Sequence, residues 1–159
     1  MDASGPLDAF HGSPFVTGLA PSERRRLAAL ATRRNARPGD VLLSEGAPTA
    51  QLGVVLAGRL ALRLQVPGRG LMTVLTVEPG DVFGWSAIVP PYRSTSTVVA
   101  VEPSEVAVLD ATSLRTALED DEGLAAVLYP RILRSVARRL EATRMQLLDL
   151  FGRDTDIPW

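Results

Sequence analysis

Residues Pro79–Val99 read PGDVFGWSAIVPPYRSTSTVV. Gly80 and Gly84 bracket a short β-prone run, and Gly84-Trp85-Ser86-Ala87-Ile88 has the composition to open one turn of helix. The leading N–H groups of such a turn lack intrahelical acceptors, so they point at whatever lies beyond. Pro90-Pro91 ends the turn and forces a tight return. Arg93 follows, then the hydroxyls of Ser94, Thr95, Ser96 and Thr97, before a β-branched run resumes. A helix start, one guanidinium and nearby hydroxyls suit a singly charged phosphodiester. A loop with a solvated arginine fits the same residues, and the pattern alone does not choose between the two.

On both sides of this stretch the chain has β character. Short runs separated by glycine and proline signals occur at 41–43, 52–56, 60–66, 71–77, 82–83, 95–101 and 106–109. Leu60, Leu62, Leu64 and Val66 alternate with Ala61, Arg63 and Gln65, the period of a half-buried antiparallel strand. Pro67-Gly68-Arg69-Gly70 joins that strand to the next as a hairpin loop. Many short strands with closely spaced turns predict a mainly β domain, a double-stranded β-helix or jelly-roll barrel.

Helices flank the barrel. Ser22–Thr32 (SERRRLAALAT) predicts a short N-terminal helix with Ser22 as cap and Leu27, Leu30 and Ala31 on one face. After Asp110, Ser113–Leu118 predicts another short helix, and the acidic run Glu119–Glu122 stands where a following helix would begin. Leu124, Leu128, Ile132, Val136, Leu140, Thr143, Leu147 and Leu150 then recur every three or four residues, the stripe of a long C-terminal helix that Pro130 is expected to bend. Such a narrow stripe reads as a dimer seam; packing on the parent barrel is the other reading. Thr143 is the one polar member of the stripe. A hydroxyl there needs a partner, either a ligand group or the carbonyl one turn back. The expected organisation is an irregular lead-in over 1–14, one domain over 15–151 including the long helix, and a tail over 152–159.

Composition narrows the function. The chain has 159 residues, 46% hydrophobic and 22% charged, which is ample for one buried core. Cysteine is absent and His11 is the single histidine, so thiolate chemistry and a histidine-rich metal site are not expected. His11 precedes the barrel and reads as a surface or lead-in residue. Asp120, Asp121 and Glu122 read as capping and solvation rather than paired catalytic acids, so no enzyme is expected. All 17 basic residues are arginine against 18 acidic ones, and a net charge of −1 offers no bulk footprint for DNA or an anionic membrane. The six arginines from Arg131 to Arg153 read as a solvated helix face. No apolar run approaches the roughly 18 residues of a membrane span, and no secretory signal is visible. A cytoplasmic location is the expectation.

Pro38-Gly39-Asp40, Glu45-Gly46, Gly58-Arg59-Leu60, Pro79-Gly80-Asp81-Val82-Phe83-Gly84 and Arg93 with its hydroxyl neighbours come in an order that resembles a known family. It is the cyclic nucleotide-binding domain of the Crp/Fnr regulators and of the cyclic-nucleotide-dependent kinases. The resemblance runs from about Phe10 to Leu150. It implies that Phe83–Thr97 corresponds to the phosphate-binding cassette, in which Phe83, Gly84 and Trp85 lead into the turn. Arg93 would pair with the cyclic phosphate, and Ser86, Ala87, Ser94, Thr95, Ser96 and Thr97 would complete the cradle. Arg138–Arg144 is similar to the bacterial activator's long helix, so Thr143 and the partner subunit's Arg144 would lie over the base.

Two departures stand out. The family's cassette has Phe-Gly-Glu, whose carboxylate accepts the ribose 2′-hydroxyl; this chain has Phe83-Gly84-Trp85. Losing a charged hydrogen bond of that kind costs on the order of 1.5–3 kcal/mol. Trp85 would either fill part of the pocket or stack on a base. Moreover, only eight residues follow Phe151, too few for a helix-turn-helix, so DNA is not an expected partner. The expectation is a non-catalytic sensing domain that binds a cyclic nucleotide, cAMP or cGMP, or another small anion. It would form a homodimer through the C-terminal helix and need no metal or other cofactor. The alternative is a degenerate fold that binds no nucleotide and serves as a protein–protein interaction module.

Overall fold

The computed structural model describes Phe10 and residues 12–153. Eight strands form two antiparallel four-stranded sheets. They are β1 (Ala31–Ala36), β2 (Val41–Leu43), β3 (Gln51–Ala57), β4 (Leu60–Val66), β5 (Gly70–Val77), β6 (Val82–Phe83), β7 (Thr97–Ala100) and β8 (Ser104–Asp110). One sheet runs β1-β8-β3-β6 and the other β2-β7-β4-β5. Helix α1 (Pro21–Ala29) precedes the sheets; α2 (Ala111–Asp120) and the 32-residue α3 (Glu122–Arg153) follow them. This is the expected jelly roll with a short N-terminal and a long C-terminal helix.

Strands β3, β6 and β8 of the first sheet are buried on both faces, which accounts for their nearly continuous apolar runs. Alternate residues separate two cores. Val55, Phe83, Val106 and Val108 meet Leu60, Val77 and Val98 between the sheets. Leu52, Val54, Val82, Ala107 and Leu109 face the opposite way, against Leu27, Leu114, Leu124, Leu128 and Ile132 of the helices. Close approach is demanded at Gly53, where an added Cβ would stand 2.0 Å from Cζ of Phe83.

The Pro-Gly-Asp sequences build the same turn twice. The Asp40 carboxylate accepts the Arg37 N–H (2.8 Å), and that of Asp81 accepts the Glu78 N–H (3.1 Å). In each, the glycine has positive φ and its N–H reaches a neighbouring strand, Gly39 to Ala100 O and Gly80 to Val55 O, both at 2.8 Å. The hairpin at 67–70 is also present, closing on the Val66↔Gly70 pair.

Several local expectations are corrected. Ser22 does not cap α1; the helix starts at Pro21, and the Glu23 carboxylate accepts the Ala20 N–H at 2.9 Å. Thr32 belongs to β1, a strand that the sequence pattern hid. The end of the lead-in is structural, since Phe10 is buried and a 3-10 turn covers Pro14–Val16. Helix α3 runs two residues into the expected tail and contains Pro130 within its unbroken length. His11 and most of the lead-in and tail lie outside the described residues.

The stripe on α3 divides. Leu124, Leu128 and Ile132 are buried on the barrel, whereas Leu140, Leu147 and Leu150 are 50%, 48% and 61% exposed. Its first half thus packs on the parent domain, and its second half extends past most of the core. Among the described residues, no helix is long and apolar enough to cross a membrane.

Candidate functional site

Gly84 sits in the left-handed region (φ 76°) because the chain must swing from β6 into a 3-10 turn at Trp85–Ala87. The expected turn of helix is therefore present. A Cβ at this glycine would stand 2.5 Å from the Gln51 carbonyl, so the turn is seated directly on β3. The Ala87 N–H closes the turn onto Gly84 O at 2.9 Å. The Ser86 hydroxyl is buried and bonded to that of Thr49 at 2.7 Å. Arg115 of α2 holds the turn's far end, donating from Nη1 to Ala87 O (2.7 Å) while its guanidinium lies 4.2 Å over the Tyr92 ring.

The hydroxyl-rich segment is tied to the Glu45-Gly46 loop. The Gly46 N–H donates to Ser94 O, and the Ser94 N–H to Ala47 O. Pro48 and Arg93 form an isolated β-bridge. That pairing lays the Arg93 side chain along the loop, where its Nη1 donates to Gly46 O at 2.8 Å. Arg93 is exposed and does not line the cavity described next. The Ser94 hydroxyl donates to Ser96 O (2.6 Å), and the Thr97 hydroxyl accepts the Glu45 N–H (3.1 Å).

Between the second sheet, the 84–86 turn and α3 lies a cavity of about 540 Å³. Of the residues named from sequence, Phe83, Gly84, Trp85, Ser86, Ser94, Thr95, Ser96 and Thr143 line it. Ala87, Arg93, Thr97 and Arg144 do not: Ala87, the last residue of the turn, is fully buried, Thr97 is engaged with Glu45, and Arg144 is exposed on α3. Trp85 is half-buried, contributing one wall while packing against the helix-side core. The Thr143 hydroxyl donates to Arg139 O at 2.9 Å, which is the bond one turn back along the helix.

Sequence reasoning missed the remaining walls. Leu62 and Leu64 of β4 and Val74 and Leu75 of β5 face inward, and from α3 come Arg139, Gln146, Leu147 and Leu150. Arg139, assigned from sequence to a solvated face, is corrected: it is half-buried and donates from Nη2 to Val82 O at 2.5 Å. Burial, then the neighbouring Arg138, push its guanidinium below the ordinary arginine value, while Asp81 opposes them. Two other arginines of that face are engaged as well, Arg131 with Phe15 O and Arg138 with Asp81. The available signal was position: Arg139 lies four residues before Thr143 on the face of the stripe. Among the described residues no carboxylate lines the cavity, so the ribose acceptor of the family's cassette has no counterpart there.

A jelly roll with a glycine-led turn, a hydroxyl-rich return loop and a helix laid across the opening is the architecture of cyclic nucleotide-binding domains. The profile of that family matches residues 33–121, and the chain belongs to it. The acetyltransferase Pat of Mycolicibacterium smegmatis is 32% identical over 128 residues, covering 80% of this chain and 37% of that protein. This chain thus spans little more than a third of that curated relative. A solved structure of a cAMP-binding acyltransferase from Mycobacterium smegmatis, a single-site mutant, superposes with a TM-score of 0.69 at 30% identity, covering 86% of this chain and 41% of the other. The catabolite activator protein of Thermus thermophilus shares the fold, with a TM-score of 0.68 at 24% identity, covering 88% and 63%.

Proposed function

We propose that this chain is a non-catalytic sensing module in which a cyclic nucleotide, cAMP or cGMP, occupies the cavity and α3 reports its presence. One observation carries the reading: the cavity's walls come from both the Gly84–Ser86 turn and the last turns of α3, so an occupant touches sheet and helix together. The family match supports the ligand class, as does the cAMP-binding description of the mycobacterial relative. Arg93 is held by one bond on an exposed side chain, so exchanging Gly46 O for a phosphate oxygen costs little. Leu133, Leu140, Leu147 and Phe151, all largely exposed, recur at seven, seven and four residues along α3. That spacing supports a homodimer through the helix.

The test is calorimetry with cAMP and cGMP on the wild type and on Arg93→Ala. Binding that weakens about tenfold or more without the guanidinium fits a lost charged hydrogen bond. Binding untouched by the substitution would remove Arg93 from the site. Sedimentation of Leu140→Asp beside the wild type tests the dimer, whose loss is the expected outcome.

A second reading is favoured by Trp85 in the carboxylate's place and by the seating of Arg93 on Gly46. In it the fold binds no nucleotide and acts as an interaction module. A ligand that binds only the folded state raises Tm by mass action, so an unchanged Tm at millimolar cAMP and cGMP selects this reading.

A further inference from the structure

Four neutral polar side chains around the cavity are committed within the chain. Ser86 is bonded to Thr49, Ser94 to Ser96 O, Thr143 to Arg139 O, and the Gln146 amide to Val74 O at 2.7 Å. Arg139 is the charged group of the lining. A guanidinium has five N–H donors, and among the described residues only the bond to Val82 O is made. It is the one cationic side chain lining the cavity among the described residues, and no carboxylate among them lines the cavity to oppose it. Asp81, whose charge also acts on Arg139, already accepts the Glu78 N–H and pairs with Arg138 at 3.4 Å. A half-buried cation without a contacting counter-ion is costly, and an anion placed beside it relieves that cost. Apart from this corner and the Ser86, Ser94–Ser96, Thr143 and Gln146 side chains, the walls are aliphatic and aromatic. Such surroundings match a hydrocarbon body better than a ribose, whose hydroxyls would meet no free acceptor carboxylate.

We infer that the cavity accepts a second ligand class, an organic carboxylate with an apolar body, its charged head on Arg139 and its body against Leu62, Leu64, Leu75 and Trp85. This shares with the reading above only that the cavity is a ligand site; it does not require a nucleotide. The head group is recognised from α3 itself, so binding would tether the helix to the occupant directly.

The experiment is calorimetry on the full chain with sodium octanoate and with octan-1-ol, which differ in charge but little in body. The wild type is expected to bind octanoate about tenfold or more tightly than the alcohol, the range of a charged hydrogen bond. Arg139→Gln should abolish that preference and Arg139→Lys should retain part of it. Arg134→Ala, an exposed arginine of the same helix outside this cavity, should keep it. Equal affinity for acid and alcohol on the wild type overturns the inference without any variant. So does an octanoate preference that survives in folded Arg139→Gln. Titration with cAMP in the same series reads the nucleotide proposal separately, because either result there leaves the acid-to-alcohol ratio unchanged.

Discussion

Gln146 on α3 donates its Nε2–H to the carbonyl of Val74 on β5, 2.7 Å away and 72 residues earlier in the chain. The pairing of β4 with β5 passes from Leu62↔Leu75 to Arg63↔Thr73, so Val74 falls in a bulge outside the ladder. The bulge supplies the spare carbonyl, and the helix amide satisfies it.

This bond helps to seat the exposed final turns of α3. Gln146→Ala is expected to speed hydrogen exchange in the segment after Glu141 and to leave the buried first turns unchanged. The loss in global stability should stay near the low end of about 0.5–1.5 kcal/mol, because the bond is exposed. Exchange mass spectrometry reads it directly; unchanged protection after residue 141 would show that the bond does not hold the helix.

The Phe83 ring of β6 lies directly against the Gly53 backbone of β3. Gly53→Ala forces a methyl group into the ring's position and should destabilise by about 1–3 kcal/mol. Combining it with Phe83→Leu should recover part of that loss. A double-mutant cycle on urea midpoints measures the coupling, and strict additivity would contradict the contact.

Arg115 fastens the loop that ends the 3-10 turn through Ala87 O and the Tyr92 ring. Arg115→Ala is expected to cost about 1–2 kcal/mol and to raise exchange across residues 85–93. Arg115→Lys keeps the charge but loses the planar fork, so it should fall between the two. Equal exchange in all three proteins would mean that the loop holds its shape without this clamp.

Two helix caps predict the acid response. The Ser113 N–H, then the Ser113 hydroxyl, hold the Asp110 carboxyl below its ordinary 3.8; the Leu124 N–H, then Arg26, do the same for Asp121. A depressed folded pKa contributes stability that is present above the unfolded value and lost as pH falls through the folded one. Stability attributable to these groups should therefore be steady above about pH 5 and decline below 3.8. Urea midpoints across that range should show a shallower decline in Asp110→Asn and Asp121→Asn. Wild-type slopes in both variants would assign the acid response elsewhere.

Seven of the eight strands were visible as apolar runs because each sets at least one apolar side chain into a core. Strand β1 was not: in Ala31–Ala36 the run Thr32–Asn35 is exposed at a sheet edge, so no apolar alternation marks it. Its Arg33 instead pairs across the ladder with Glu105. The cassette was legible as a turn, a proline return and a row of hydroxyls. The direction of its arginine was not, because its Gly46 partner stands 47 residues earlier in the chain.

Local order in the chain decided the jelly roll, its flanking helices and the glycine turns, since periodicity and turn chemistry act between residues close in sequence. Tertiary packing alone decided which arginine enters the cavity and which hydroxyls are already spent. Arg139 meets Val82 across 57 residues and Arg93 meets Gly46 across 47. Such pairings exist only once α3 has been laid over the sheets and the two loops have closed on each other.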